Sequence, residues 1–176
     1  ARVKKLIIQI PAYNEAETLP EVLDDLPRQL EGIESIQVIV IDDGSTDNTA
    51  QVALEHGADF VLRHRNNLGL SKSFISGIQL ALALGADIIV NTDADHQYPG
   101  KEIEHLIQPI LAGEADLVIG DRQPQHNRNF SPWKRFLEKL GSAIARKVSD
   151  TDVPDAVSGF RAYSRYAALP LQVYNP

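Results

Sequence analysis

Short apolar runs and longer stretches of helically spaced apolar residues take turns along this chain. Residues 4–10, 36–41, 60–62, 87–92 and 117–120 are apolar and rich in β-branched side chains, which predicts strands buried on both faces. Between them, Leu19, Val22, Leu23, Leu26 and Leu30 recur at helical spacing. Thr18-Leu19-Pro20-Glu21 reads as a capping box with proline in the first turn. Thr46 or Asp47 is placed to cap a second helix that stops near Gly57. Further helices are predicted over 70–84, ended by Gly85, and over 103–111, closed by Gly113. Strand and helix in alternation predict an α/β fold, with a mostly parallel sheet and helices on both faces. Right-handed crossovers then bring the loops at Pro11, Asp42, Asp93 and Asp121 to one edge of the sheet.

The pattern changes after Gly120. Residues 121–132 are polar and proline-bearing and read as a mobile loop. Residues 133–148 form an amphipathic, basic stretch with Lys134, Arg135, Lys139, Arg146 and Lys147. Residues 157–163 read as a strand, and the end of the chain looks cut off. The expectation is one catalytic domain over residues 1–176, truncated at its C-terminal end. The lack of methionine at position 1 also suggests a piece of a longer product.

Composition narrows the class. With 43% hydrophobic and 23% charged residues, the chain reads as an ordinary globular domain. No apolar run approaches the roughly 20 residues that span a bilayer. No cysteine is present, so thiolate metal sites are excluded, and a cytoplasmic setting fits. A net charge of −7 speaks against nucleic acid as a partner. It also means that an anionic ligand needs local cations, from Lys and Arg or from a metal.

The strand over 87–92 ends in Asp93-Ala94-Asp95, with Gln97 just beyond. Ligands of open α/β sheets bind at strand carboxyl ends. Two carboxylates there repel unless a cation separates them. In an extended segment Asp93, Asp95 and Gln97 point the same way, and hard oxygen donors suit Mg²⁺ or Mn²⁺ with a bound diphosphate. A solvated acidic loop is the plainer alternative. Asp42-Asp43-Gly44-Ser45-Thr46-Asp47 is either a capped turn or a carboxylate aimed at a base or ribose. It is not a calcium loop, because Asn48 and Leu54 stand where that motif needs glycine and glutamate. In Pro11-Ala12-Tyr13-Asn14-Glu15, Tyr13 can stack on a base and Glu15 can accept from a sugar, or the segment is a packed loop. Arg122, Arg135 and Arg161 suit phosphate binding, or else plain surface charge or, for Arg161, an internal ion pair. The five histidines lack zinc spacing and read as structural or solvated. Lys72 reads as part of a helix-capping loop.

Taken in order, these motifs, with Asn67-Leu68-Gly69 and Ser158-Gly159-Phe160-Arg161, resemble the inverting GT-A glycosyltransferases. The resemblance is strongest to the dolichyl-phosphate mannose synthase (polyprenyl-phosphate glycosyltransferase) branch and covers almost the whole chain. It implies a GT-A, Rossmann-like fold and transfer of a sugar, mannose or glucose favoured, from a GDP- or UDP-sugar to a polyprenyl or dolichyl phosphate. Pro11, Tyr13, Glu15, Ile41 and Asp43 would hold the nucleoside, and Asp93, Ala94 and Asp95 the rest of the donor. Asp93, Asp95 and Gln97 would hold Mg²⁺ or Mn²⁺. Asp95 and Arg122 would be catalytic, and Arg122, Arg135 and Ser158 would meet the acceptor. Members of this branch continue into amphipathic or membrane helices, which implies a place at the cytoplasmic face of a membrane. The alternatives are a saccharide or other hydroxyl acceptor, a nucleotidyltransferase, and a non-catalytic nucleotide-sugar-binding module. The nucleotidyltransferase reading is disfavoured, because no Gly-rich basic loop follows the first strand.

Overall fold

In a computed structural model, residues 4–95, 99–120 and 159–173 are described. Strand β1 (Lys5–Ala12) is the centre of the sheet. It leads through helix α1 (Leu19–Asp25) to β2 (Ser35–Asp42) and through α2 (Thr49–Glu55) to β3 (Phe60–Arg63). Helix α3 (Leu70–Ala83) then crosses back to β4 (Ile88–Asn91) on the other side of β1. Helix α4 (Glu102–Leu111) and β5 (Leu117–Ile119) follow. Strand β6 (Arg161–Ser164), the short α5 (Arg165–Ala168) and a 3₁₀ turn (Leu169–Val173) complete the described elements.

The six strands lie in the order β3-β2-β1-β4-β6-β5. Strands β1 to β4 pair in parallel, and β6 runs antiparallel to both β4 and β5. Successive side chains of a strand face opposite sides, so each strand feeds two cores. Leu6, Ile8, Ile10, Val38, Val40, Ile88 and Val90 pack with α1 and α4 on one side. Ile7, Ile39, Ile41 and Ile89 pack with Phe74, Ile78 and Leu82 of α3 on the other. The sheet is therefore covered on both faces, as the apolar runs predict.

Three local expectations are overturned. The first helix stops at Asp25, well short of Leu30. Leu26 precedes Pro27, whose ring disfavours the helical region for its neighbour, and Leu26 is extended at φ −70° and ψ 141°. Leu30 instead packs against the core from beyond the helix. The capping box does not form either, because the Thr18 side chain makes no cap hydrogen bond. Its single hydroxyl proton is shared between Glu15 Oε2, 2.8 Å from Oγ1, and the Ala94 carbonyl, 2.7 Å away. At the second helix the N-cap is Asn48 instead of Thr46 or Asp47, and its side chain makes no cap hydrogen bond. Asp47, one residue earlier, accepts from the Thr49 amide at 3.0 Å and from the Thr49 hydroxyl. The strand expected over 157–163 is Arg161–Ser164, and residues 157 and 158 lie outside the described part.

Candidate active site

The chain leaves β1 for β2 and β3 on one side and returns to β4 on the other. This reversal opens a crevice at the carboxyl ends of β1 and β4, where open α/β sheets bind ligands. A cleft of about 390 Å³ lies there. Pro11, Tyr13 and Glu15 line it from the end of β1, Asp43 from the end of β2, and Asp93, Ala94 and Asp95 from the end of β4. Asn67, Gly69, Leu70 and Ser73 close it along the start of α3. Pro11, Tyr13, Glu15, Asp43, Asp93, Ala94 and Asp95 thus share one cleft. Ile41 does not line it, because its side chain is fully buried in the α3-side core. Gln97, Arg122, Arg135 and Ser158 lie outside the described residues, as do the polar loop over 121–132 and the basic stretch over 133–148.

The first loop is tied to the second by its backbone. Asn14 adopts a left-handed φ of 52°, which its short polar side chain tolerates. Its amide donates to Ser45 Oγ at 2.9 Å, and its Oδ1 accepts from the Thr46 amide at 2.9 Å. The Glu15 amide donates to Thr49 Oγ1 at 3.0 Å and the Ala16 amide to Asp47 Oδ2 at 3.3 Å. These contacts leave Tyr13 with 45% of its surface exposed beside the cleft. Thr18 extends the clamp to the third loop through Ala94.

Asp43 is buried, yet it sits in a nest of donors. His64 Nδ1 lies 2.7 Å from Oδ1, which also accepts from the Leu68 amide at 2.9 Å. Oδ2 accepts from the Gly69 amide at 2.8 Å. A carboxylate only accepts, so Nδ1 carries a proton, and Nε2 lies 3.0 Å from the Ser76 hydroxyl. Burial opposes the charge on Asp43, but the His64 bond and the two amides outweigh it and hold the pKa below 3.8. Asp42 is buried one residue earlier, accepts from the Ser45 amide at 3.0 Å, and meets Arg63 Nε at 3.2 Å. It supports the loop and does not line the cleft.

The third loop departs from the extended geometry expected of it. Ala94 and Asp95 form a turn after Thr92 and Asp93. Thr18 holds the Ala94 carbonyl and the core takes the Ala94 side chain, which fixes the bend. Asp93 is half-buried and Asp95 exposed, and both residues line the cleft. Among the described residues no group of three His, Cys, Asp or Glu side chains converges. The fit to a hard divalent cation rests on two carboxylates sharing one polar cleft, a donor set that suits Mg²⁺ or Mn²⁺.

Sequence reasoning missed Asn14, Thr18, His64 and Ser73. Asn14 is signalled only by lying within the first motif. Thr18 and His64 act through partners far away in the chain, which no local pattern shows, and Ser73 meets the cleft only through the packing of α3.

A twisted, mostly parallel sheet with an acid-lined cleft at its switch point defines an α/β protein of the GT-A class. The chain belongs to glycosyl transferase family 2, whose profile matches residues 7–169. It is 32% identical to a polyprenol monophosphomannose synthase of Mycolicibacterium smegmatis, over 92% of this chain and 62% of that protein. It is also 32% identical to a UDP-N-acetylglucosamine–dolichyl-phosphate N-acetylglucosaminyltransferase of Methanococcus voltae, over 93% of this chain and 71% of that protein. Among solved structures, glucosyl-3-phosphoglycerate synthase of Mycobacterium tuberculosis superposes with a TM-score of 0.61 at 26% identity, over 93% of this chain and 58% of that one. The same enzyme in complex with Mg²⁺ and uridine diphosphate superposes at 0.60 and 25% identity, over 93% of this chain and 57% of that one. The chain therefore spans 57% to 71% of the length of these proteins. Among the described residues no helix is long and apolar enough to cross a membrane.

Proposed function

We propose that this chain is the catalytic domain of a metal-dependent inverting glycosyltransferase. It would move a hexose from a nucleotide-diphosphate donor to a polyprenyl phosphate at the cytoplasmic face of a membrane. One observation carries the reading: Asp43 from the end of β2 and Asp93 and Asp95 from the end of β4 line one cleft with Tyr13 and Glu15 from the end of β1. The relatives that act on polyprenyl and dolichyl phosphates support the acceptor.

In this reading Tyr13 stacks on the base, and Asp43 and Glu15 accept from base and ribose. Pro11 lines the cleft, and Ile41 stays in the α3-side core without lining it. Asp93 and Asp95 would hold Mg²⁺ or Mn²⁺, with Gln97 as a third oxygen donor. An ion there supplies Lewis-acid neutralisation of the departing diphosphate. A phosphate oxygen of the acceptor bonds to the anomeric carbon while the bond to the diphosphate breaks, and the configuration inverts. An ionised phosphate needs no general base, only orientation and cations. Arg122, Arg135 and Ser158 are the residues proposed for that task. A hydroxyl-bearing phosphorylated acceptor is the second reading, favoured by the neighbouring structure crystallised with phosphoglyceric acid and UDP-glucose.

Titration calorimetry tests the donor half. GDP or UDP binds in the presence of Mn²⁺, and Asp95→Ala weakens that binding by at least tenfold without lowering the melting temperature. If neither nucleotide binds, or if Asp95→Ala binds like the parent, the reading fails.

A further inference from the structure

Thr18 stands at the N-cap of α1, where a threonine ordinarily accepts from an amide of the first turn. It is already helical, at φ −94° and ψ −28°, and makes no cap hydrogen bond. Its Oγ1 stands instead between acceptors from two loops. Glu15 Oε2 is 2.8 Å away and the Ala94 carbonyl 2.7 Å. The Glu15 carbonyl, at 3.5 Å, is already taken by the Leu19 amide at 2.9 Å. A hydroxyl has one proton, and neither a carboxylate nor a carbonyl can supply another. Two loops therefore compete for one hydrogen bond.

Both competitors belong to the cleft. Glu15 lines it from the β1 side, and Ala94 lines it between Asp93 and Asp95 on the β4 side. The Ala94 carbonyl lies in the peptide plane that leads to Asp95, so its direction sets where the Asp95 side chain starts. The Ala94 side chain is buried in the core that holds Leu19 and Val22 of α1. That packing fixes its Cβ, and the bond from Thr18 fixes the peptide plane. A carboxylate outcompetes a carbonyl for a hydroxyl proton, because bonds to a charged acceptor are the stronger ones. A ligand that donates to Glu15 disperses that charge, and bonds within one network polarise each other. The Thr18 proton then passes to the Ala94 carbonyl and stiffens the acidic turn.

We infer that Thr18 couples the two halves of the cleft, so that filling the nucleoside side tightens cation binding at Asp93 and Asp95. By reciprocity the cation tightens nucleoside binding by the same factor. The inference rests on the donor reading above, which gives Glu15 to the nucleoside and the two aspartates to the cation. It adds a link between them that needs no phosphate. Thr18 is a positioning residue, acting through Glu15 and Ala94.

Electron paramagnetic resonance of free Mn²⁺ tests the coupling. The affinity of the chain for the ion is measured alone, with saturating uridine or guanosine, and with the matching dideoxynucleosides. None of these carries a phosphate that could reach the ion. On the parent, the nucleoside that binds is expected to tighten Mn²⁺ binding about fivefold, the low end of couplings between sites. Its dideoxy form, without ribose hydroxyls for Glu15, leaves the Mn²⁺ affinity unchanged. Thr18→Val keeps the shape of the side chain without the proton and loses the tightening, and Thr18→Ser, which keeps the hydroxyl, retains it. A purely structural Thr18 would change the Mn²⁺ affinity by one factor with and without nucleoside. No tightening in the parent, equal tightening by the dideoxynucleoside, or full tightening in Thr18→Val overturns the coupling and leaves the donor reading standing. The two parent comparisons hold whether or not the variants fold. If Mn²⁺ does not bind, or neither nucleoside binds by calorimetry, the donor reading falls and the coupling with it.

Discussion

Asp43 shows how one side chain organises a binding loop before any ligand arrives. Its carboxylate gathers His64, Leu68 and Gly69, residues more than 20 positions away, and their hydrogen bonds favour the charged form. A carboxyl whose folded pKa is depressed adds stability at every pH above its unfolded value. That stability is lost as pH falls through the folded value. For Asp43 the contribution is complete above about pH 4 and fades as the pH falls below 3.8. Asp47, held by Thr49 and Ala16, has its pKa depressed as well and acts in the same window. Asp43→Asn should therefore lower the melting temperature at pH 7 and narrow the gap between parent and variant by pH 3. Parallel melting curves with an unchanged gap would show that this carboxylate is not held in its charged form.

At the scale of elements, the position of α3 decides the shape of the cleft. The helix lies so close to β1 and β2 that a Cβ on Gly77 would stand 2.6 Å from Gln9 Oε1 and 2.9 Å from Ile41 Cδ1. Gln9 cannot easily yield. It is fully buried and its Nε2 bonds to the Phe74 carbonyl and to Asn91 Oδ1, and Asn91 in turn reaches the Gly159 carbonyl. This chain of polar contacts ties α3, β1, β4 and the approach to β6 into one register beneath the site. Alanine is the better helix former by about 1 kcal/mol, while overpacking a filled core costs about 1–3 kcal/mol, so the steric cost wins. Gly77→Ala should lower stability by about 1–2 kcal/mol in denaturant melts and weaken nucleotide binding as α3 is pushed outward. Gly44 meets a harder limit. At φ 74° its missing Cβ would lie 2.5 Å from the Asn66 carbonyl carbon, which makes the loop after β2 and the loop before α3 inseparable.

At the scale of the whole molecule, three loops and a helix start converge only because the sheet reverses its winding at β1 and β4. A ligand that bridges them stabilises the folded state and not the unfolded chain. At 100 times its dissociation constant the gain is about 2.7 kcal/mol. For a domain of this size that is roughly 5–10 °C in melting temperature. UDP or GDP should give such a shift with Mn²⁺ and a much smaller one with EDTA, where the Asp93 and Asp95 carboxylates lack their counter-charge. Equal shifts with and without the metal would remove the carboxylate pair from the proposed role.

The strands, their burial on both faces and the two carboxylates at the end of β4 were legible in the amino-acid sequence. They follow from local rules: period, β-branching, and the break from apolar to acidic. The same rules marked the loops after β1 and β2 as motifs. They misplaced the end of α1, where Pro27 outweighed a helical spacing that runs on to Leu30, and they misread Thr18, whose hydroxyl had a longer-range partner than its own helix. Tertiary structure alone decided that Ile41 faces the core, that Asn14 clips two loops together, and that His64 and Ser73 belong with Asp43. The physical reason is range. Periodicity reports what each residue does to its neighbours within a turn or two, whereas a binding cleft is assembled from hydrogen bonds that span 21 to 82 positions and exist only once the sheet has closed its register.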